Sequence, residues 1–223
     1  MLLSLPLFYG ASCSFDDKKL MVSNALVANF GKIRIEVESD LLGAVRGLFQ
    51  NKQGITYIHG TGSNSCYYDE NPIIENVSPL GFILGDEGSG AVLSKTLIAD
   101  CLKKLLPQHI SSQLLEIYNL TPSEIMENVY KKPFPNRFLA QLTPFLTENI
   151  HEPSIHSIVK NGFISFIQRN ISQYTQGKDL GFVGSVAYFL NDVLQQAANE
   201  YHYKIVTIVK SPMDGLINYH SEN

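Results

Sequence analysis

The sequence predicts a layered α/β fold, because strand and helix patterns alternate along its first part. Residues 2–8 are an apolar run that ends in a small-residue turn, and 18–30 carry apolar residues at helical spacing. Residues 32–38 alternate apolar and charged side chains with the period of two typical of strands. Helical spacing returns at 41–49. A βαβα order with short connections favours a layered α/β architecture.

The rest of the chain is predicted to be mainly helical after one more strand and two glycine-rich turns. Thr121, Pro122 and Glu124 form a helix start, with a Thr N-cap, Pro in the first turn and Glu placed for a capping box. The other predicted elements are, in order, a strand at 55–58, a helix at 91–106, a helix at 155–174, a strand at 180–183, a helix at 186–198, a strand at 204–209 and a short helix at 211–215.

The composition is that of a globular protein. Its 223 residues suit one large or two small domains, and 44% of them are apolar and 17% charged. The net charge of -4, without a cluster of Lys and Arg, excludes nucleic acid as the expected partner. Residues 1–9 are apolar but too short to span a membrane and lack the features of a signal peptide. We therefore expect no membrane partner.

Several familiar chemistries find no support in the motifs. Cys13, Cys66 and Cys101 are odd in number and lack CxxC spacing, which indicates neither disulfides nor a zinc site and fits a reducing cytoplasm. Residues 89–96 end like a P-loop, but serine stands at both required glycine positions. No GxSxG elbow occurs. The histidines without metal-ligand spacing are His109, His151, His156, His202 and His220.

Two glycine-rich turns, at 60–65 and 85–90, are the strongest candidates for a binding site. We expect each to follow a strand, at 55–58 and at 82–84, and strand ends are where α/β proteins place ligands. Glycine lets backbone amides approach an oxyanion, and the Thr61 and nearby Ser hydroxyls add donors. The first turn is either a phosphate cradle or a plain hairpin turn.

Three further segments each have a structural and a functional interpretation. Asp40 lies between a strand and a helix, as an N-cap or as a general base aimed into a cleft. Asp86 and Glu87 either start the next helix or hold a polyol or hydrated metal. Gly184 and Ser185 serve either close packing or an anion contact at a helix start.

Four motifs, taken in order, resemble the N-acetylglucosamine kinase and BadF/BadG/BcrA/BcrD ATPase family. They are Ser39-Asp40 opening a helix, GTGSN at 60–64, GDEGSG at 85–90 and GSVA at 184–187. The resemblance covers nearly the whole chain. It implies an actin-like ATPase fold with two ribonuclease-H-like domains: residues 1–52, with 211–223 packing back on them, and residues 53–210 with a helical insertion.

The resemblance also implies a function and a set of residues. The function is ATP-dependent phosphoryl transfer to an amino sugar such as N-acetylglucosamine, with ATP and Mg²⁺ as cofactors and Asp40 as the base. The implied sugar contacts are Asp40, Asn64, Pro79, Leu80, Gly81 and Asp86. The implied ATP contacts are Gly60, Thr61, Gly62 and Ser63 at the phosphates and Gly184 and Ser185 at the adenosine.

One departure from the family pattern shapes the alternatives. The family begins with a strand that ends in an Asp-Gly-x-Thr-Lys type of phosphate loop, and nothing of that kind precedes Met1. We therefore expect an incomplete N-terminal domain. The alternatives are a non-catalytic member that binds sugar or a partner, and an activator ATPase with an iron-sulfur cluster between subunits, whose cysteine motifs do not match here. The resemblance is also compatible with a homodimer.

Overall fold

The computed structural model describes residues 7–31, 35–70, 72–177 and 179–222, and its strands form two sheets. A small sheet pairs β1 with β2 in parallel, and a five-stranded mixed sheet has the order β5-β4-β3-β6-β7. The strands are β1 Leu7–Gly10, β2 Glu36–Ser39, β3 Gly54–His59, β4 Ser63–Tyr68, β5 Ile73–Val77, β6 Asp179–Val183 and β7 Lys204–Val209.

Helices cover both faces of the larger sheet. They are α1 Asp16–Phe30, α2 Asp40–Phe49, α3 Gly81–Leu84, α4 Gly90–Leu102, α5 Gln108–Ile117, α6 Pro122–Tyr130, α7 Pro135–Ala140, α8 Thr143–Glu148, α9 Pro153–Arg169, α10 Ser185–Phe189, α11 Asn191–Glu200 and α12 Met213–Glu222.

Strand β3 lies at the centre of the larger sheet and organises its core. It pairs antiparallel with β4 through a hairpin and parallel with β6, so the two glycine-rich segments that follow β3 and β6 end at the same edge. On one face of the sheet, Leu41 and Val45 of α2 pack with Cys66 and Tyr68. The large second cluster fills the opposite face and includes Phe163 of α9. Alternation along β3 and β4 therefore supplies both cores.

Helices α2 and α12 cross at a contact between two glycines. A Cβ atom at Gly215 would overlap the carbonyl oxygen of Gly47, and one at Gly47 would lie 2.7 Å from the carbonyl oxygen of Pro212. A hydrogen bond also joins the end of α2 to α12: Gln50 Nε2 donates to the Gly215 carbonyl oxygen at 3.0 Å. The end of the chain therefore packs on the helix that follows β2.

Several predicted elements are confirmed. The strand at 204–209 has the predicted bounds, and β6 and the Ser185 helix start occur where expected. Thr121 and Glu124 form the predicted capping box, with the Thr121 N–H donating to Glu124 at 2.8 Å. Residues 2–6 of the first predicted strand and 32–34 of the second lie outside the described residues, and the described parts are β1 and β2.

The prediction that residues 82–84 end a strand is wrong. They lie in α3, a single helical turn closed by the Gly85 N–H, which donates to the Gly81 carbonyl at 2.8 Å. Ile83 and Leu84 are exposed, so this apolar run is not buried in a sheet. An apolar run of this length does not distinguish strand from helix by its pattern alone.

The predicted long helices are shorter than their patterns. The helix at 186–198 is two helices separated at Leu190, whose backbone leaves the helical region with ψ 25°. The helix at 91–106 ends at Leu102, and that at 155–174 ends at Arg169 before a 3₁₀ turn. Apolar spacing continues past these breaks because the turns after them are also packed into the core.

Candidate functional site

Three loops meet at the end of β3. The first is the hairpin between β3 and β4, closed by the Gly60 N–H donating to the Gly62 carbonyl at 3.0 Å. The second leads into α4, and two amides at the start of that helix donate to the hairpin: Gly90 to Gly60 at 2.9 Å and Ala91 to Thr61 at 3.1 Å. The two glycine-rich segments predicted from the sequence therefore form one unit.

The third loop joins the same unit through Gly184. Its φ of 124° lies in the region that favours glycine, and a Cβ atom there would overlap the backbone carbonyl of His59. The Gly184 N–H donates to the Val209 carbonyl at 3.0 Å, and Ser185 begins α10. Close packing, the structural interpretation of this loop, is thus present, and it brings the start of α10 beside the hairpin.

His59, which belongs to none of the sequence motifs, occupies the centre of this junction. Its ring stacks on that of Phe163, with 5.7 Å between the ring centroids, and forms a T-shaped contact with the ring of Phe166, with 4.3 Å between the centroids. The side chain is fully buried, and neither ring nitrogen has a hydrogen-bond partner in the described part of the chain. Burial lowers the pKa of His59 to about 3, so the imidazole is neutral at physiological pH.

Asp86 lies directly against the hairpin. The Ser63 N–H donates to its carboxylate, and a Cβ atom at Gly62 would come within 2.9 Å of its Oδ2. Burial raises the pKa of Asp86, and the Ser63 hydrogen bond opposes that rise. The helix-start interpretation of Asp86 is wrong, because Ser89 is the N-cap of α4 and accepts from the Val92 N–H.

The Glu87 carboxylate forms an ion pair and a hydrogen bond with the end of α9. Its Oε1 pairs with Arg169 Nε at 2.5 Å, and its Oε2 accepts from Asn170 Nδ2 at 3.2 Å. These contacts tie the second glycine-rich loop to the end of α9.

A cavity of 380 Å³ opens beside the hairpin tip, and we call it the Thr61 cavity. Its wall combines apolar and polar groups from the hairpin, from 140–148 and from α10, and no lysine or arginine lies among its described lining residues. They are Gly60, Thr61, Ala140, Thr143, Pro144, Thr147, Glu148, Ser185, Val186 and Phe189. The segment 140–148 carries no motif that sequence reasoning could have used.

A second cavity of 340 Å³, the Asn64 cavity, lies where the start of α2 faces β4 and β5. Its described lining residues are Cys13, Ser14, Lys19, Glu38, Ser39, Leu41, Leu42, Asn64, Pro72, Ile73 and Asn76. Glu38 is paired with Lys19 at 2.6 Å across one wall. The size is sufficient for a small polar ligand.

Asp40 is next to the Asn64 cavity rather than in its described lining. The cap interpretation of Asp40 is wrong: the N-cap of α2 is Ser39, which accepts from the Leu42 N–H at 3.2 Å. The Asp40 carboxylate accepts from the Leu41 N–H at 2.9 Å. Burial raises the pKa of Asp40, and this hydrogen bond opposes the rise. Asp40 therefore carries a half-buried carboxylate at the start of α2.

Residues 79–81 lie on a different surface. The Pro79 carbonyl accepts from the Asp86 N–H at 2.9 Å, which folds this segment against the second glycine-rich loop. Leu80 lines a separate groove with Arg169, and it is not among the described lining residues of either cavity named above. The structure thus places Pro79 against Asp86, and Leu80 in a groove apart from both cavities.

The described residues provide no ready-made metal centre and no membrane span. No group of three or more His, Cys, Asp or Glu side chains among them could hold a metal ion. None of the helices in the described ranges is long and apolar enough to cross a membrane. Cys13, Cys66 and Cys101 are all buried and unpaired, Cys66 within β4 and Cys101 near the end of α4.

Comparison with known proteins adds a family to this geometry. No protein-family model and no curated protein matches the chain. Among solved structures, a candidate N-acetylglucosamine kinase from Porphyromonas gingivalis is 44% identical, with a TM-score of 0.94, over 97% of this chain and 77% of that one. A candidate N-acetylglucosamine kinase from Chromobacterium violaceum is 16% identical, with a TM-score of 0.70, over 88% and 70%. The ethanolamine utilization protein EutJ from Carboxydothermus hydrogenoformans is 14% identical, with a TM-score of 0.51, over 95% and 64%.

The fold is α/β and of the actin-like ATPase class, as predicted. The likeness to the Chromobacterium and Carboxydothermus proteins is one of fold alone. The identity to the Porphyromonas protein is much higher and extends over almost all of the present sequence. The chain belongs to the N-acetylglucosamine kinase family, within the sugar kinases.

Proposed function

We propose that the chain transfers the γ-phosphoryl group of ATP to a hydroxyl of an amino sugar, with N-acetylglucosamine as the first candidate. The observation that carries this proposal is the junction of the three loops at the end of β3, where one hairpin contributes residues to both the Thr61 cavity and the Asn64 cavity. Thr61 lines the first cavity and Asn64 the second, three residues apart. One hairpin can therefore contact both reactants.

The Thr61 cavity suits a nucleotide. Phe189, Pro144 and Val186 offer apolar surface for a base, while Glu148 and Thr147 offer polar atoms for ribose hydroxyls. The hairpin end of the cavity suits phosphates, because nothing lies within 4 Å of a Cβ position at Gly60 and Thr61 is exposed. In this proposal Gly60, Thr61, Gly62 and Ser63 serve the phosphates, and Gly184 and Ser185 place the start of α10 beside the adenosine.

The Asn64 cavity and its surroundings suit the sugar. Asn64 and Asp86 flank Ser63, so both can present polar atoms on the sugar side of the hairpin. We assign sugar contacts to Asp40, Asn64 and Asp86, and to Pro79, Leu80 and Gly81 through a sugar substituent that extends towards Asp86.

Asp40 takes the proton in the proposed reaction. The sugar hydroxyl oxygen forms a bond to the γ-phosphorus, the bond from that phosphorus to the bridging oxygen of ADP breaks, and the hydroxyl proton passes to the Asp40 carboxylate. Most of the remaining work in phosphoryl transfer is positioning and charge neutralisation. When bound, Mg²⁺ supplies part of that neutralisation, and it is commonly held by one or two carboxylates together with the phosphates.

The two-domain arrangement forms part of the proposal. Residues 1–52 with 211–223 would form one unit and 53–210 the other. The separation of the β1–β2 sheet from the five-stranded sheet, and the packing of α12 on α2, support this division. Helix α2 joins the two units, because Leu41 and Val45 also pack on the five-stranded sheet.

The proposal is tested by measuring ADP formation from ATP with a panel of N-acetylated hexosamines. We expect sugar-dependent ADP formation that Asp40→Asn lowers by about 10²- to 10⁴-fold. Asp192→Asn is the matched control, since Asp192 is also an acid in the first turn of a helix but is exposed. Equal turnover by wild type and Asp40→Asn would contradict the assigned role.

A further inference from the structure

Asn64 is held in one orientation by two neighbours on β4 and β5. Its Oδ1 accepts from the Ser65 N–H at 2.9 Å and from Asn76 Nδ2 at 3.0 Å. Asn76 Nδ2 also donates to the Ser65 carbonyl at 2.6 Å. Asn76 lies opposite Cys66 in the strand pairing, which puts it diagonally across from Asn64 on the same face.

Backbone groups fix which end of each carboxamide is oxygen. A backbone N–H can only donate, so the Asn64 atom that faces Ser65 N–H must be the oxygen. A backbone carbonyl can only accept, so the Asn76 atom that faces Ser65 C=O must be the nitrogen. The two assignments agree at the bond between the side chains, where Asn76 donates and Asn64 accepts. Neither carboxamide can rotate by 180° without losing a hydrogen bond.

This orientation leaves Asn64 Nδ2 as the polar group that Asn64 can offer to a ligand. Within the described ranges, that nitrogen makes no hydrogen bond, while Asn64 and Asn76 both line the Asn64 cavity. An amide nitrogen only donates. The ligand group that it contacts must therefore be an acceptor, such as a hydroxyl lone pair or an acetamido carbonyl.

We infer that Asn76 is a positioning residue that holds Asn64 as a hydrogen-bond donor to the sugar, so that the site selects a substrate with an acceptor atom at that point. This inference rests on the proposed function and deepens it. It assigns Asn76 a role through Asn64, without contact of its own to the reacting atoms.

Asn64→Asp is the sharpest variant for the test. Aspartate keeps an oxygen for Ser65 N–H and Asn76, but it replaces the outward nitrogen with a second acceptor oxygen. We expect its melting temperature to stay near that of wild type and its Kd for N-acetylglucosamine, measured by calorimetry, to rise by about a hundredfold. Asn76→Leu removes the donor that orients Asn64 but leaves Asn64 in place, and we expect its Kd for N-acetylglucosamine to rise by about three- to tenfold.

Analogues separate positioning from general damage to the site. The probes are N-acetylglucosamine derivatives in which each hydroxyl in turn is replaced by hydrogen or by fluorine, together with glucosamine, which lacks the acetamido carbonyl. Fluorine accepts a hydrogen bond and cannot donate one. If Asn64 Nδ2 contacts a sugar hydroxyl, we expect wild type to bind the fluoro analogue at that hydroxyl more tightly than the deoxy analogue. If it contacts the acetamido carbonyl, we expect wild type to bind N-acetylglucosamine more tightly than glucosamine. In either case we expect Asn76→Leu to reduce the difference.

The possible failures point to different conclusions. If Asn64→Asp or Asn76→Leu keeps the full wild-type preference for the fluoro over the deoxy analogue, or for N-acetylglucosamine over glucosamine, the inference is overturned and the proposed function stands. If wild type binds no N-acetylated hexosamine, the proposed function itself is contradicted, and this inference with it.

Discussion

At the scale of single residues, burial acts on the acids and the imidazole near the hairpin in opposite ways. It raises the pKa of Asp40 and of Asp86, since a buried carboxylate loses hydration, and it lowers the pKa of His59. Backbone N–H donors partly restore the charged form of each carboxylate. The imidazole has no such compensation among the described residues, so it remains neutral.

The raised pKa of Asp40 predicts how the reaction depends on pH. A base must be deprotonated, so kcat/KM should rise with pH through an apparent pKa above the ordinary aspartate value of 3.8. This rise, the acid limb of the profile, is measured directly as kcat/KM of wild type against pH. The small residual rate of Asp40→Asn should lack it, and a limb that persists unchanged in this variant would assign the titration to another group.

The neutral His59 predicts a loss of stability in acid. Its pKa is about 3 in the folded chain and near 6.5 when unfolded, so the unfolded chain binds more protons between these values. Stability should therefore fall as pH drops below about 6.5, with a contribution from His59 of up to about 1.4 kcal/mol per pH unit.

His59→Leu removes the titrating group while keeping an apolar side chain among the phenylalanines. The free energy of unfolding of both proteins is measured by denaturant titration between about pH 4 and pH 7, which lies mostly between the two pKa values of His59. It should depend less steeply on pH in the variant than in wild type. Parallel curves would show that His59 does not titrate on unfolding in this range.

At the scale of secondary structure elements, local signals predicted the start of α6 and the bounds of β7, but they did not predict where the long helices end. The Thr121 capping box and the strand at 204–209 could be predicted from the sequence, because capping residues and β-branched runs act within a few residues. The turn at 82–84 was misassigned because three apolar residues fit either structure. The break at Leu190 depends on how α10 and α11 pack, which no local pattern records.

The crossing of α2 and α12 gives a prediction at this scale. Gly215→Ala should push the two helices apart, since its Cβ would overlap the Gly47 carbonyl, and overpacking of this kind typically costs about 1–3 kcal/mol. Thermal melts should show a lower midpoint. Asn218→Ala, in an exposed position of the same helix, should change stability by less than about 0.5 kcal/mol.

At the scale of the whole molecule, the site combines segments that are far apart in the sequence. The resemblance to the family, which rests on motifs in their order along the chain, implied that the hairpin, the loop before α4 and the Gly184 loop would belong to one site. Asn76, His59 and the 140–148 segment could not be predicted in this way. Their contributions come from burial and pairing across the sheet and the helices, which leave no spacing signature.

The central claim is that this junction transfers a phosphoryl group from ATP to an amino sugar. The most direct measurement is mass spectrometry of the products after incubation with ATP, Mg²⁺ and N-acetylglucosamine, with Asp40→Asn as the paired control. The account predicts a sugar phosphomonoester and ADP in equal amounts with wild type, and a large loss of both with the variant. Binding of sugar and nucleotide by wild type without any sugar phosphate would contradict it.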